Sequence, residues 1–292
     1  MSNPPVLPFE RLAIVGFGLI GASIASAVRR RWPSALIIAI DRRDVIEAAI
    51  RTRAADGGGD DLGMAAQADL IVLAAPVRAN LEIVSRLASS VPGEAIVTDV
   101  GSTKRETVTA AAALPPRLSF IGGHPLAGAA IGGIEAARAD LFDGRPWILT
   151  PSAADEHAEP REKLASFLAA LGARVHVMAP DAHDSLVAYL SHIPQLAATA
   201  LMDLVGGHVG AEGLALAGRG LRDTTRLASS PADIWRDITA SNPDQIARAI
   251  DELVAILLRL KPGNGTAAAA LDSTFDSAAQ WKRVLEREVE SS

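Results

Sequence analysis

The chain has no cysteine, which excludes disulfides, thiolate nucleophiles and cysteine-held zinc or iron–sulfur centres. It has no basic run longer than the three arginines Arg29–Arg31, and its formal net charge is -6. A phosphate backbone would find no electrostatic footprint, so nucleic acid is not an expected partner. Aromatic side chains are scarce, at 4%, which points to a core of small aliphatic residues and closely packed helices. Met1 to Glu10 holds no basic stretch followed by an apolar one, and no later run approaches the roughly 18 apolar residues of a membrane span. No membrane partner is therefore expected, and a cytoplasmic location is. Internal repeats and low-complexity tracts are missing too.

What is present is a 292-residue chain that is 49% hydrophobic, enough for about two domains with buried cores. From Leu12 to Met178, short aliphatic runs alternate with longer helical patterns, the mark of a parallel sheet covered on both faces. The expected strands are Leu12–Val15, Leu36–Ile40, Leu70–Ala74, Ala95–Asp99, Phe120–Gly122, Trp147–Leu149 and Arg174–Val177. Several end in Gly, Asp, Pro or His, suited to loops at the carboxyl edge, where open α/β sheets bind ligands. After Pro180 helical spacing takes over, with Leu186, Leu190, Ile193, Ala197, Leu201 and Leu204 as one apolar stripe. Asn242 and Pro243 read as an N-cap and first-turn proline, and Ile246, Ile250, Leu253 and Leu257 follow at helical spacing. The expected division is 1–179 for an α/β domain and 180–292 for an all-α domain, whose apolar helices suit a homodimer interface.

Between the first strand and its helix lies Gly16-Phe-Gly-Leu-Ile-Gly21, and Asp41 stands 20 residues beyond the third glycine. Gly16 permits the tight turn, Gly18 lets backbone approach a pyrophosphate, and Gly21 lets helix and strand pack closely. This is the fingerprint of a Rossmann-type dinucleotide domain, with Phe17, Leu19 and Ile20 inside the loop. Asp41, ending the second strand, suits both ribose hydroxyls and so NAD; Arg42 or Arg43 would suit the 2′-phosphate of NADP. Ala75 and Pro76 after the third strand, and Val100 and Gly101 after the fourth, are expected along the same cofactor edge.

His124 follows a strand at that edge, and a neutral imidazole there is suited to taking a hydroxyl proton near neutral pH. Ser102 lies just past the fourth strand, where it suits either a site hydroxyl or a helix N-cap. His157, His176, His183, His192 and His208 form no metal-ligand cluster by spacing, so a metal-free site is expected.

The run from Gly122 (Gly-Gly-His-Pro-Leu-Ala-Gly-Ala-Ala-Ile-Gly-Gly-Ile-Glu-Ala-Ala) leads into Leu141-Phe-Asp-Gly-Arg-Pro-Trp-Ile-Leu-Thr-Pro. It resembles the signature of the prephenate and arogenate dehydrogenases of tyrosine biosynthesis. Three further stretches agree: Thr98-Asp-Val-Gly-Ser-Thr-Lys, His183-Asp through Ser191-His-Ile-Pro, and Gly220-Leu-Arg-Asp-Thr-Thr-Arg. The resemblance implies hydride transfer from a cyclohexadienyl acid to NAD or NADP with loss of carbon dioxide. It also implies His124 as catalytic base, Ser102 as its support, Ser191 near the nicotinamide or substrate, and Arg226 on a substrate carboxylate, with Arg222 as local competitor. Gly128 and Ala130 fall on the same substrate-side segment.

The chain departs from many prephenate-using relatives in two places. Ala130 and Ile131 stand where those carry an acid and a lysine, and Gln195 stands where they place a second histidine. One helical turn from Ser191, the Gln195 amide is expected to meet the substrate side chain. These departures resemble the arogenate-type branch, and L-arogenate to L-tyrosine is the expected reaction. Prephenate to 4-hydroxyphenylpyruvate, and oxidation of 4-amino-4-deoxyprephenate, remain as alternatives.

Overall fold

The structure, a computed structural model, describes residues 7–128, 132–152, 158–262 and 267–290. Its first part is an eight-stranded sheet: β1 (Arg11–Val15), β2 (Leu36–Ile40), β3 (Gly57–Gly59), β4 (Leu70–Leu73), β5 (Ala95–Asp99), β6 (Leu118–Pro125), β7 (Pro146–Pro151) and β8 (Arg174–Val177). The spatial order is β3-β2-β1-β4-β5-β6-β7-β8. Helices α1 (Leu19–Arg31), α2 (Arg43–Arg51), α3 (Val77–Ser90), α4 (Arg105–Ala111) and α5 (Ala158–Ala170) connect the strands. Leu12 and Ile14 pack into one apolar cluster while Ala13 and Val15 pack into the other, so alternate residues of β1 bury both faces of the sheet. The fold is a Rossmann-like, largely parallel sheet followed by a helical region.

Three details differ from the sequence expectation. β3 is an edge strand of three glycines, paired with β2 through Ile38, Ala39 and Ile40. Glycine has poor strand propensity and no pattern to read, and an added Cβ on Gly58 would lie 2.3 Å from the Ala39 carbonyl oxygen. β6 runs on through His124 and Pro125 because β7 pairs with it there, His124 opposite Ile148. His124 is thus held inside a strand and not in the loop beyond one. Finally, β7 is antiparallel to β6, and β8 runs parallel to β7, so the last two strands reverse the sheet. One row of the register is Gly123, Leu149 and Val177, which brings the end of β8 to the level of Gly123 just before the helical region starts.

That region comprises α6 (Pro180–Val187), α7 (Ile193–Leu214), α8 (Arg219–Thr224), α9 (Ala232–Ser241), α10 (Pro243–Leu260) and α11 (Ala267–Glu290). The stripe expected from Leu186 to Leu204 is interrupted by a π-helical turn, Ala188–His192, which shifts the helical phase. Leu190 and Leu204 lie exposed, and α7 breaks at Gly210, whose φ is +63°. Asn242 precedes α10 but does not cap it; its amide donates to the Asp184 carbonyl (2.8 Å) and its side-chain oxygen accepts from Arg105 (2.8 Å). Among the described residues no helix is long and apolar enough to cross a membrane.

Candidate active site

The glycine loop is built as its spacing requires. Gly16 has φ +90°, and a Cβ there would lie 2.5 Å from backbone atoms of Ala74 and Ala75. A Cβ on Gly21 would lie 2.1 Å from the Gly16 carbonyl oxygen, so α1 seats against β1 only without one. At Gly18 an added Cβ would meet nothing within 4 Å; the packing of the protein does not demand that glycine. Asp41 accepts the Phe17 amide (2.6 Å) on one oxygen and the Arg42 amide (2.7 Å) on the other. The end of β2 is thereby tied to the loop with its carboxylate in place. A cavity of about 680 Å³ lies there, bordered by Gly16, Gly18, Asp41, Arg42, Asp60 and Arg86. Arg43 pairs with Glu47 (2.9 Å) along α2, and Arg42 approaches Asp44 (3.8 Å). A strand–helix turn with open space before Gly18, at a helix start, beside a fixed carboxylate, fits a dinucleotide.

A second cavity of about 490 Å³ shares Ala74, Ala75 and Pro76 with the first and continues past Ile20, Gly101 and Ser102 to α9, where Ile234 and Ile238 close it. Val100 borders it as well, and Leu19 opens α1 beside it. Asp237 of α9 faces Arg78 of α3 across the cleft (3.8 Å). Ser102 does not cap α4: the amides of Lys104 and Arg105 donate instead to the two oxygens of Asp184 (2.7 and 3.0 Å), a residue of α6.

Behind this edge runs a buried polar core that the sequence did not single out as a site. Asp99, ending β5, accepts the amides of Gly101 and Gly123 (3.0 Å each) and pairs with Lys104. Lys104 is fully buried and also donates to the Gly123 carbonyl (2.7 Å). Burial pulls its ammonium below the ordinary lysine value, against the opposing pull of Asp99. His124 is buried next to it. Its Nδ1 lies 2.9 Å from Nε2 of His183, whose Nδ1 lies 2.8 Å from Oδ1 of Asp184. Burial first, then the positive potentials of His183, Lys104 and His192, hold His124 well below the ordinary imidazole range, so the ring is neutral at physiological pH. For Asp184, burial acts to raise the carboxyl, but the bonds from His183 and the Arg105 and Lys104 amides outweigh it and keep it ionised. Arg105 completes the junction, pairing with Asp184 and Asp244.

The remaining expected residues lie apart from this core. Gln195 is buried on α7, but its amide hydrogens go to the Leu227 carbonyl (2.7 Å) and Thr199 Oγ1 (3.2 Å), and its carbonyl accepts from Ser230 (3.0 Å). It fastens the 3₁₀ turn Arg226–Ser229 to α7 instead of offering those hydrogens to a ligand. Arg226 and Ser191 are exposed, one in that turn and the other in the π-helical turn. Gly128 is exposed, with open space where a Cβ would go; Ala130 lies outside the described residues. The missed residues, His183, Asp184, Lys104 and Asp99, sit inside two of the quoted motifs, Thr98–Lys104 and the stretch that begins at His183. The available signal was an acid or lysine placed among apolar strand-end residues, where burial demands a partner.

Residues 24–177 match the family model described as prephenate dehydrogenase, nucleotide-binding domain, and residues 179–262 match that described as prephenate dehydrogenase, dimerization domain. The chain is 35% identical over 251 residues to a prephenate dehydrogenase of Bacillus subtilis (strain 168), an alignment covering 84% of this chain and 67% of that protein. It is 30% identical over 272 residues to a cyclohexadienyl dehydrogenase of Zymomonas mobilis, covering 91% of each. Among solved structures, prephenate dehydrogenase from A. aeolicus in complex with hydroxyphenyl propionate and NAD+ superposes with TM-score 0.85 at 28% identity, covering 96% of this chain and 98% of that one. Synechocystis arogenate dehydrogenase does so with TM-score 0.76 at 29% identity, covering 93% and 99%.

Proposed function

This chain belongs to the prephenate dehydrogenase family of NAD-dependent oxidoreductases, and from that premise we propose that it oxidises and decarboxylates L-arogenate to L-tyrosine. The observation that carries the reaction class is a neutral, buried His124 at the carboxyl edge that also bears the dinucleotide loop. Residues 1–179 serve the cofactor and residues 180–292 the substrate and the dimer.

The substrate is a cyclohexadiene with a ring carboxylate and a hydroxyl on the opposite carbon. Gly16, Gly18, Gly21 and Asp41 would hold NAD, which when bound would supply the hydride acceptor. His124 takes the hydroxyl proton as carbonyl character develops at that carbon. It returns the proton to the oxygen as carbon dioxide leaves and the ring becomes a phenol. Ser102 orients the hydroxyl, and Arg226 grips a carboxylate through its fixed fork of donors. Aromatisation provides the driving force, so the protein contributes chiefly position and a correctly protonated base.

The choice of arogenate rests on what is not offered to the substrate side chain. Ala130 and Ile131 bring no charge. Gln195 is neutral, and its amide hydrogens are engaged by Leu227 and Thr199. None of these three positions carries a cation, so an ammonium-bearing side chain would meet no like-charge repulsion from them. Arogenate, prephenate and 4-amino-4-deoxyprephenate, each offered with NAD and with NADP, test this by the near-ultraviolet absorbance of reduced nicotinamide. The highest kcat/KM is expected for arogenate with NAD; a higher value for prephenate would overturn the substrate assignment. A His124→Asn variant is expected to lose about 10²- to 10⁴-fold in kcat, and full turnover by it would remove the base.

We also propose a homodimer through the helical region. Val254, Leu257 and Leu258 on α10, and Phe275 and Trp281 on α11, are exposed in the single chain, and residues 179–262 match a dimerisation domain.

A further inference from the structure

A base must present a lone pair, and on a neutral imidazole only one of the two nitrogens does so. Which nitrogen that is on His124 is fixed by the chain of contacts behind it. An ionised Asp184 can only accept, so the 2.8 Å contact with His183 requires the proton on His183 Nδ1. A neutral His183 then has its lone pair on Nε2, and the 2.9 Å contact requires His124 to donate from Nδ1. The lone pair of His124 is left on Nε2. We infer that His183 and Asp184 are positioning residues that select the proton-accepting tautomer of His124 and aim its Nε2.

The opposite polarity would place an imidazolium at His183, donating to His124 and leaving His124 protonated on Nε2, unable to act as a base. Three features oppose it. The Asp184 charge is already met by two backbone amides and by the Arg105 guanidinium (3.2 Å), so no second cation is needed to balance it. His183 is fully buried, where an added charge is costly. The groups facing the histidine pair from the other packed elements include Lys104, itself paired with Asp99, and His192 in the π-helical turn. Lys104 adds a positive potential that disfavours a further cation. His183 comes from α6 and His124 from β6, 59 residues apart, so the base becomes competent only when the helical region is docked on the sheet. The inference rests on His124 being the base, but the tautomer itself is readable without turnover.

The test begins with the unaltered chain, selectively ¹⁵N-labelled at its six histidines and assigned by single substitutions. At neutral pH, His124 is expected to carry its proton on Nδ1 and none on Nε2, and His183 to be neutral with its proton on Nδ1. A proton on His124 Nε2, or an imidazolium at His183, would overturn the inference even if turnover were normal. Two variants then separate positioning from packing. His183→Leu removes the acceptor and is expected to lower kcat at least about 100-fold while leaving KM within about threefold. His183→Gln puts a carbonyl oxygen within reach of the former Nε2 position and is expected to recover at least about tenfold of that loss. Equal kcat in the two variants would overturn the inference. Absence of turnover with every substrate in the unaltered chain, alongside the expected tautomer, would instead overturn the assigned reaction and leave the relay standing.

Discussion

His192 makes a quantitative prediction about acid stability. It is fully buried at the end of the π-helical turn, neither ring nitrogen has a hydrogen-bond partner, and its ring meets Trp235 edge-on at 6.1 Å. Burial first, and His183 after it, push its pKa down to about 4, while Asp184 pulls the other way. In the unfolded chain the same ring titrates near its ordinary value of about 6.5. The folded pKa is therefore the depressed one for a cationic acid. Between these two values the unfolded chain binds the proton and the folded chain does not, so stability is complete above about pH 6.5 and drains as the pH falls toward 4. From pH 7 to pH 4.5 the loss from this one ring amounts to about 2.4 kcal/mol. Urea unfolding at fixed protein concentration, at both pH values, measures it for the parent and for His192→Leu, which retains apolar bulk but cannot take a proton. The variant is expected to lose about 2.4 kcal/mol less on acidification than the parent. Carboxylates and His124 titrate in both proteins and cancel in that difference. An equal acid loss in the two proteins would refute the claim that His192 is buried neutral.

Further outcomes are expected for the glycine loop and for the helical region. Gly18→Ala should unfold at nearly the parent temperature yet bind NAD at least about tenfold more weakly by calorimetric titration, because the space before Gly18 is open to a ligand and not filled by protein. Gly21→Ala should cost roughly 2 kcal/mol or more in stability, since its methyl would meet the Gly16 carbonyl oxygen; the reverse ranking would contradict the geometry. Light scattering should give twice the 30.3 kDa chain mass, and Leu257→Glu with Phe275→Glu should shift the protein toward monomer.

The first βα unit was readable in sequence because its constraints are local: a strand, three glycines at fixed spacing, and an acid at the next strand end. β3 was not, because three glycines at an edge carry no hydrophobic period, and their pairing comes from a partner 19 residues away, Ile38 with Gly57. The reversal at β7 was equally hidden, since an aliphatic run such as Trp147–Leu149 reads the same in either direction. Family likeness pointed to His124, and local pattern to the carboxyl edge. The contacts that orient it involve His183 and Asp184, and the latter also holds Lys104 from 80 residues away. Gln195 was readable as one helical turn beyond Ser191, but not as buried and fastened to Leu227 and Ser230, because a turn 32 residues on gives no local sign of where it will fold. Asn242 likewise looked like a cap and serves instead to join α10 to Asp184 and Arg105.

The reversed polarity of β7 bears on how this protein can be remodelled. A parallel crossover from β6 would need enough chain to run back along the sheet, and its length would be constrained by the span. An antiparallel partner needs no such return: the chain leaves β6 at Pro125 and re-enters at Pro146, beside the same edge. The connection between them is therefore a long hairpin loop, held at its feet by the β6–β7 pairing and nearer β7 by Arg138, whose amide donates to Ser23 of α1, and by Leu141 and Phe142 in the core. Doubling its length would add only about 0.6 kcal/mol of closure entropy, with no strand forced to shift register. The solvent-facing part of this loop is thus the natural place to graft or exchange residues, while the glycine loop and the His124–His183–Asp184 contacts keep their geometry.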